Sequence, residues 1–198
     1  MMRENRKDGV EVSQLLRSLV PNGYWDVGIE RVHGSVRPQI ENYLANTISY
    51  VTRGTGLLLY GMNGNGKTSI AVLIAKEVLR YSGAVLFTTS AGLCQAQLKD
   101  LMFESGVSMV HRAEIVDLLI LDDLGKEYRG DSGWSLKFLE NLLRVRSSYN
   151  KATIITTNIP LADFVKVYSI SMVSVITASL VSINVEGCSL RRAVELDL

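Results

Sequence analysis

The stretch "GLLLYGMNGNGKTSIA" at 56–71 constrains the fold more than any other part of the chain. Gly61, Gly66, Lys67 and Thr68 spell G-x-x-x-x-G-K-T, with Gly64 between them. The bulky residues before the loop read as a buried strand, and "KTSIAVLIAKEVLRY" after it reads as a helix. Glycines let a backbone wrap an anion with its N–H groups turned inward. The helix that follows aims its positive end at the same anion. On this spacing Lys67 reaches the β- and γ-phosphates of a nucleoside triphosphate, and the Thr68 hydroxyl ligates magnesium. The candidate nucleotide-binding residues are Gly61, Asn63, Gly64, Asn65, Gly66, Lys67, Thr68 and Ser69. A merely flexible glycine turn is the plain alternative, and the strand and helix around the loop weigh against it.

The strand–helix alternation continues. "AVLFTT" (84–89), "DLLILDD" (117–123), "ATIITTN" (152–158) and "LVSINVEG" (180–187) read as further strands, with helices expected around 92–105 and 134–149. Short apolar strands separated by helices imply a parallel sheet covered on both faces, a three-layer α/β fold. Upstream, Val12, Leu15, Leu16 and Leu19 have helical spacing, "VPNGYWDVG" (20–28) reads as a turn-rich linker, and "PQIENYLANTISYV" (38–51) as one helix stopped by "RGTG". The expected division is an N-terminal extension over 1–24 and a core over 25–198.

Two strand ends add polar groups. "LLILDDLG" (118–125) carries Asp122 and Asp123 to the carboxyl edge of the sheet. Asp122 is the candidate magnesium ligand, usually acting through water, and Asp123 the group that orients or deprotonates an attacking water. The bland reading is a strand ending in a solvated acidic turn. "IITTN" ends in Asn158, placed to contact the γ-phosphate or that water, although Asn closing a strand is also ordinary turn chemistry. Lys67, Asp123 and Asn158 are the candidate catalytic residues, and Thr68 and Asp122 the candidate metal ligands.

Composition limits the partners. Lys and Arg number 21 against 20 Asp and Glu, a net charge of +1, so any nucleic-acid surface is a local patch. Lys126, Arg129, Arg144 and Arg146 are candidates for one, or simply a solvated helix face. No stretch approaches the ~20 apolar residues of a membrane span, and the charged start "MMRENRKDG" does not read as a secretory signal. Cys94 and Cys188 lack metal or disulfide spacing and suit buried thiols in a reducing cytoplasm. His33 and His111 are isolated and take no catalytic role.

The succession of the glycine loop, "LILDDLG" and "TTN" followed by "IPL" resembles the AAA+ ATPases of the bacterial helicase-loader group, of DnaC type, and the related transposition helpers of IstB type. The likeness runs from about residue 20 to 192: "VPNGYWD" looks like the family's lead-in segment, "LGKEYRGDSGW" like the part after the second acid, and "VEGCSLR" like its last strand and sensor-2 arginine, here Arg191. The resemblance implies an AAA+ core with a five-stranded parallel sheet and little or no helical lid, binding ATP and Mg2+. It implies work on single-stranded DNA with a replicative helicase, or on duplex DNA with a transposase. A nucleotide-dependent protein-binding module with negligible turnover is the reading from a different class.

The same resemblance puts a serine–arginine pair on the helix before the last strand, where the arginine reaches a neighbouring subunit's ATP. Counting back from Arg191 and Gly187 sets Ser174 on the serine and Val175 where the arginine belongs, and no basic residue lies between Lys166 and Arg191. Slow intrinsic hydrolysis is the expectation, with an arginine supplied by a partner or by Arg129 or Arg146. The apolar helix at 170–180 is then a packing or partner surface.

Overall fold

The structure, a computed structural model, describes residues 6–7, 9–32, 34–102, 108–127 and 133–187. A short antiparallel hairpin, β1 (Arg6–Lys7) and β2 (Val10–Glu11), leads into α1 (Val12–Arg17). There follow α2 (Arg37–Ala45), α3 (Thr47–Thr52), β3 (Gly56–Tyr60), α4 (Lys67–Arg80), β4 (Val85–Thr89), α5 (Ser90–Met102), α6 (Met109–Ile115) and β5 (Leu118–Leu124). The order closes with α7 (Trp134–Ser148), β6 (Ala152–Thr157), α8 (Phe164–Val167), α9 (Ile170–Ser179) and β7 (Leu180–Asn184).

β3 to β7 form the expected five-stranded sheet, in the order β4-β5-β6-β3-β7, with every pair parallel. Successive strand residues face opposite sides, and both sides are apolar. Leu57, Leu59, Leu118, Ile120 and Ile154 join one buried cluster with α2, α3 and α4. Leu58, Leu119, Leu121 and Ile155 join a second with residues of α5 to α9. No helix among the described residues is long and apolar enough to cross a membrane.

Several elements depart from the sequence reading. The helix expected over 38–51 breaks at Asn46 (φ −117°, ψ 14°), whose side chain donates to the Asn42 carbonyl at 2.9 Å. Asn competes for nearby backbone groups and so favours helix ends. α6 was not foreseen; it is only one to two turns long, and its start is capped by the Ser108 hydroxyl, which accepts from the His111 N–H at 3.1 Å. The stretch read as a linker is firmly held. It forms a 3-10 turn at Asn22–Tyr24, a second follows at Ile29–Arg31, and Val20 and Val27 belong to the first core cluster. On α1, Leu15 points into that cluster, whereas Leu16 is exposed.

Arg146 corrects the sequence reading outright. It is neither a surface cation for DNA nor a donor to another subunit, because it is fully buried (0% exposed). Its guanidinium donates to the carbonyls of Ala113 at 2.6 Å, Val116 at 3.1 Å and Ala152, and to the Thr153 hydroxyl at 2.9 Å. It thus closes the end of α6 onto β6, placing a cation at a helix C-terminus. Burial lowers its pKa to about 9, opposed by the charge of Asp117, so it stays ionised at neutral pH. Arg146→Met is expected to cost about 3–5 kcal/mol, because several buried carbonyls lose their donor together. Chemical denaturation measures this, and Arg146→Lys should restore little, since one ammonium cannot span the guanidinium fork.

Candidate functional site

The glycine loop folds as its composition demands. Gly66 has φ +90° and sits at the start of α4, a conformation that side chains resist. At Gly61 (φ +137°) an added Cβ would stand 2.5 Å from the Val185 carbonyl oxygen. Asn65 ties the loop to the same carbonyl, its Nδ2 donating at 3.0 Å. Gly61 and Asn65 thus fix the loop against the segment after β7, while Asn63, Gly64, Gly66, Lys67, Thr68 and Ser69 line a cavity of about 360 Å³. Lys67 Nζ donates to the carbonyls of Gly61 at 2.8 Å and Met62 at 2.7 Å.

The acids meet this loop from β5. The Thr68 hydroxyl donates to Asp122 Oδ1 at 3.0 Å, and the Thr156 hydroxyl to the same oxygen at 2.6 Å. Burial pushes the Asp122 carboxyl above its ordinary pKa and the charge of Asp123 adds to this, while the hydrogen bonds from Thr156 and Thr68 and the charge of Lys126 oppose it. Such a carboxylate gains from a cation beside it, and a hard hydroxyl–carboxylate pair suits magnesium, which takes few protein ligands and completes its shell with water and phosphate. Among the described residues no cluster of three or more His, Cys, Asp or Glu side chains could hold a metal alone.

Asp123 lines the cavity across from the loop, and so does Asn158, the residue after β6. The two strands lose register between Leu121 and Leu124, and Asp123 adopts φ +58° in this bulge. A left-handed non-glycine residue costs about 1–3 kcal/mol and persists where surrounding contacts fix it. Here Thr156 fixes it: its oxygen accepts from the Asp123 N–H at 2.9 Å while donating to Asp122. The Asp123 carboxylate pairs with Lys126 at 2.7 Å, a half-exposed pair of the kind that is held weakly.

Sequence reasoning missed several participants. Thr156 is buried at the centre of the acid pair, and as one of three threonines in the strand Ala152–Thr157 it carries no distinguishing sequence signal. Glu127 is buried (4% exposed) and accepts from Ser90 Oγ at 3.1 Å, the Gly125 N–H at 2.8 Å and the Tyr168 hydroxyl at 3.2 Å. Ser90 also donates to the Asp123 carbonyl at 3.0 Å, so this network holds the turn after the acids. Gly23 and Tyr24 from the supposed linker, and Arg31 just after it, complete the cavity wall.

The remaining sequence candidates sit elsewhere. Arg129, Arg191, Cys188 and His33 lie outside the described residues. Arg144 pairs with Glu140 at 3.1 Å and donates to the Ser171 hydroxyl. Cys94 is buried, and burial, with the charge of Glu127, raises its pKa to about 11. His111 is an exposed neighbour of Glu114 on α6. Val175 is half-buried against the second core cluster, facing a crevice with Leu143 and Ile176.

Comparison with known proteins agrees with this architecture. The chain is 27% identical over 157 residues to an insertion-sequence ATP-binding protein of Sinorhizobium fredii, a match that covers 74% of this chain and 51% of that protein. It thus spans about half the length of that curated relative. Among solved structures it resembles the DnaC helicase loader, with TM-score 0.71 and 25% identity, covering 84% of this chain and all of that one. DnaI shares the fold at TM-score 0.70 and 18% identity, covering 87% of this chain and 94% of that one. The family model described as IstB-like ATP binding protein matches residues 33–190, so the chain belongs to the IstB-like ATP-binding proteins and carries their DnaC-like AAA+ core.

Proposed function

We propose that the chain is a magnesium-dependent ATPase that uses its nucleotide state to help place a DNA-processing partner. The observation that carries this reading is the facing of Thr68 and Asp122, 3.0 Å apart, beside a cavity that also contains Asp123 and Asn158. The loop N–H groups and Lys67 hold the triphosphate, and Gly23 and Tyr24 lie toward its base end. Thr68 and Asp122 hold Mg2+, which neutralises phosphate charge when bound. Asp123 takes a proton from the water that attacks the γ-phosphorus, and Asn158 orients that water. The bond from the γ-phosphorus to the bridging oxygen breaks, and ADP leaves with that oxygen.

For the partner, the family match and the insertion-sequence relative favour a transposase acting on duplex DNA. A helicase loader acting on single-stranded DNA is the second reading, supported by the likeness to the DnaC helicase loader over 84% of this chain. The N-terminal segment around α1, with Leu16 exposed, and the exposed cations Lys126 and Arg144 offer surfaces for such contacts.

Asp123→Asn tests both levels. Asn tolerates the left-handed conformation at 123, so the bulge survives while the base is lost. ATP affinity should stay within about threefold, and hydrolysis should fall about 10²- to 10⁴-fold. Undiminished hydrolysis would place the base elsewhere. The variant is also a trap for the ATP state: retention of duplex DNA and a transposase supports the first partner reading, and single-stranded DNA with a helicase replaces it by the second.

A further inference from the structure

We infer that Lys76 is the positioning residue that fixes the base-side wall of the nucleotide site. The inference rests on the nucleotide reading above and adds to it a residue outside the phosphate loop. Lys76 lies on α4, the helix that opens with Lys67 and Thr68, and only 1% of it is exposed. Its Nζ donates to the carbonyls of Trp25 at 3.0 Å and Val27 at 2.7 Å. Those carbonyls follow Gly23 and Tyr24 and precede Arg31, the residues by which this segment lines the cavity. The Trp25 indole N–H donates to the Val20 carbonyl at 2.9 Å and fastens the other side of the turn.

One helix therefore bears both halves of the site. Its first turn holds the phosphate end, and Lys76, about 13 Å further along at 1.5 Å per residue, clasps the strap that faces the rest of the ligand. A lysine is an expensive way to fill a core position, since its polar head must be matched by buried acceptors. Methionine would fill the same volume without that cost. What methionine cannot do is bind two strap carbonyls. Without those bonds the strap must find other donors, and Tyr24 loses its fixed place beside the cavity.

The consequence is a split between ligands. Tripolyphosphate occupies only the phosphate end of the site, whereas ATP also needs the strap. In Lys76→Met, ATP affinity measured by calorimetry should fall about tenfold or more, the loss of one to two buried hydrogen bonds, while tripolyphosphate affinity stays within about twofold. Equal losses for both ligands would make Lys76 a structural residue only, and an unchanged ATP affinity would remove the inference. Should Lys76→Met fail to fold, Trp25→Phe loosens the same strap by deleting the indole donor. It should weaken ATP and spare tripolyphosphate, and a folded Trp25→Phe protein with parental ATP affinity also overturns the inference. A parent protein that binds neither ligand refutes the nucleotide site itself, a result distinct from a Lys76 variant that binds both as the parent does.

Discussion

Replacing Lys67 with alanine is expected to weaken ATP binding by about 10²- to 10⁴-fold, from the loss of two charge-assisted hydrogen bonds to phosphate worth about 1.5–3 kcal/mol each. The geometry gives the reason for so large an effect. Lys67 is 6% exposed, and its Nζ already lies within 2.8 Å of the Gly61 carbonyl and 2.7 Å of the Met62 carbonyl, at the mouth of the glycine turn. An ammonium held there reaches a β- or γ-phosphate by a small rotation, so little ordering cost is left for the moment of binding. Alanine removes the charge and also a donor that joins the two ends of the loop. Titration calorimetry reads the affinity, and circular dichroism shows whether the variant is folded. A second reading is the rise in melting temperature that saturating ATP gives the parent, which should vanish in the variant. Lys67→Arg should not rescue binding, because the planar guanidinium is too broad for a turn closed around an ammonium. Parental affinity in a folded alanine variant would mean that the cavity beside the loop is not where ATP sits.

The parts of this site that could be read from sequence are those whose physics is local. The loop carries its own conformational demand, seen at Gly66, and the strands are apolar runs such as Leu118–Leu121 that only a sheet buried on both faces accommodates. The two acids and Asn158 could be named as candidates because a strand end delivers its last side chains to one edge of the sheet. What escaped depends on partners distant in sequence. Arg146 looks like a surface charge on a helix, and only the packing of α7 against α6 and β6 shows that it serves carbonyls at 113, 116 and 152. Lys76 is concealed in the same way, among helix residues that all read as core or surface by spacing. Thr156 gains its role from the two-residue bulge that brings Asp122 and Asp123 to one hydroxyl, and a one-residue change of register would undo it. The segment 20–28 misled for another reason. Pro, Asn and Gly mark turns whether or not the turn is anchored, and the anchors here, Lys76 and the buried Val20 and Val27, lie in the tertiary structure.

Hydrolysis by the isolated protein should be slow, and its rate per molecule should not change with protein concentration. An arginine brought to the γ-phosphate from outside is worth about 10³–10⁵ in rate, and the position where the family likeness expects one is Val175. That side chain, on α9, is half-buried against the second core cluster and shares a crevice with Leu143, so it lacks the charge to serve a neighbour. Arg146, the α7 cation expected as an alternative donor, is spent on backbone carbonyls in the core. Ser174, next to Val175, is exposed but uncharged. The missing charge is then expected from a partner, and ATP turnover becomes a report that the partner has arrived. Steady-state phosphate release over a wide range of protein concentration tests the first half of this argument, and addition of the transposase or helicase that co-purifies with Asp123→Asn tests the second. The expected result is a flat rate per molecule for the protein alone and a jump of about 10³-fold or more with the partner. A cooperative rise with the protein's own concentration that Arg129→Ala abolishes would instead show a self-activating ring, with Arg129 as the donor.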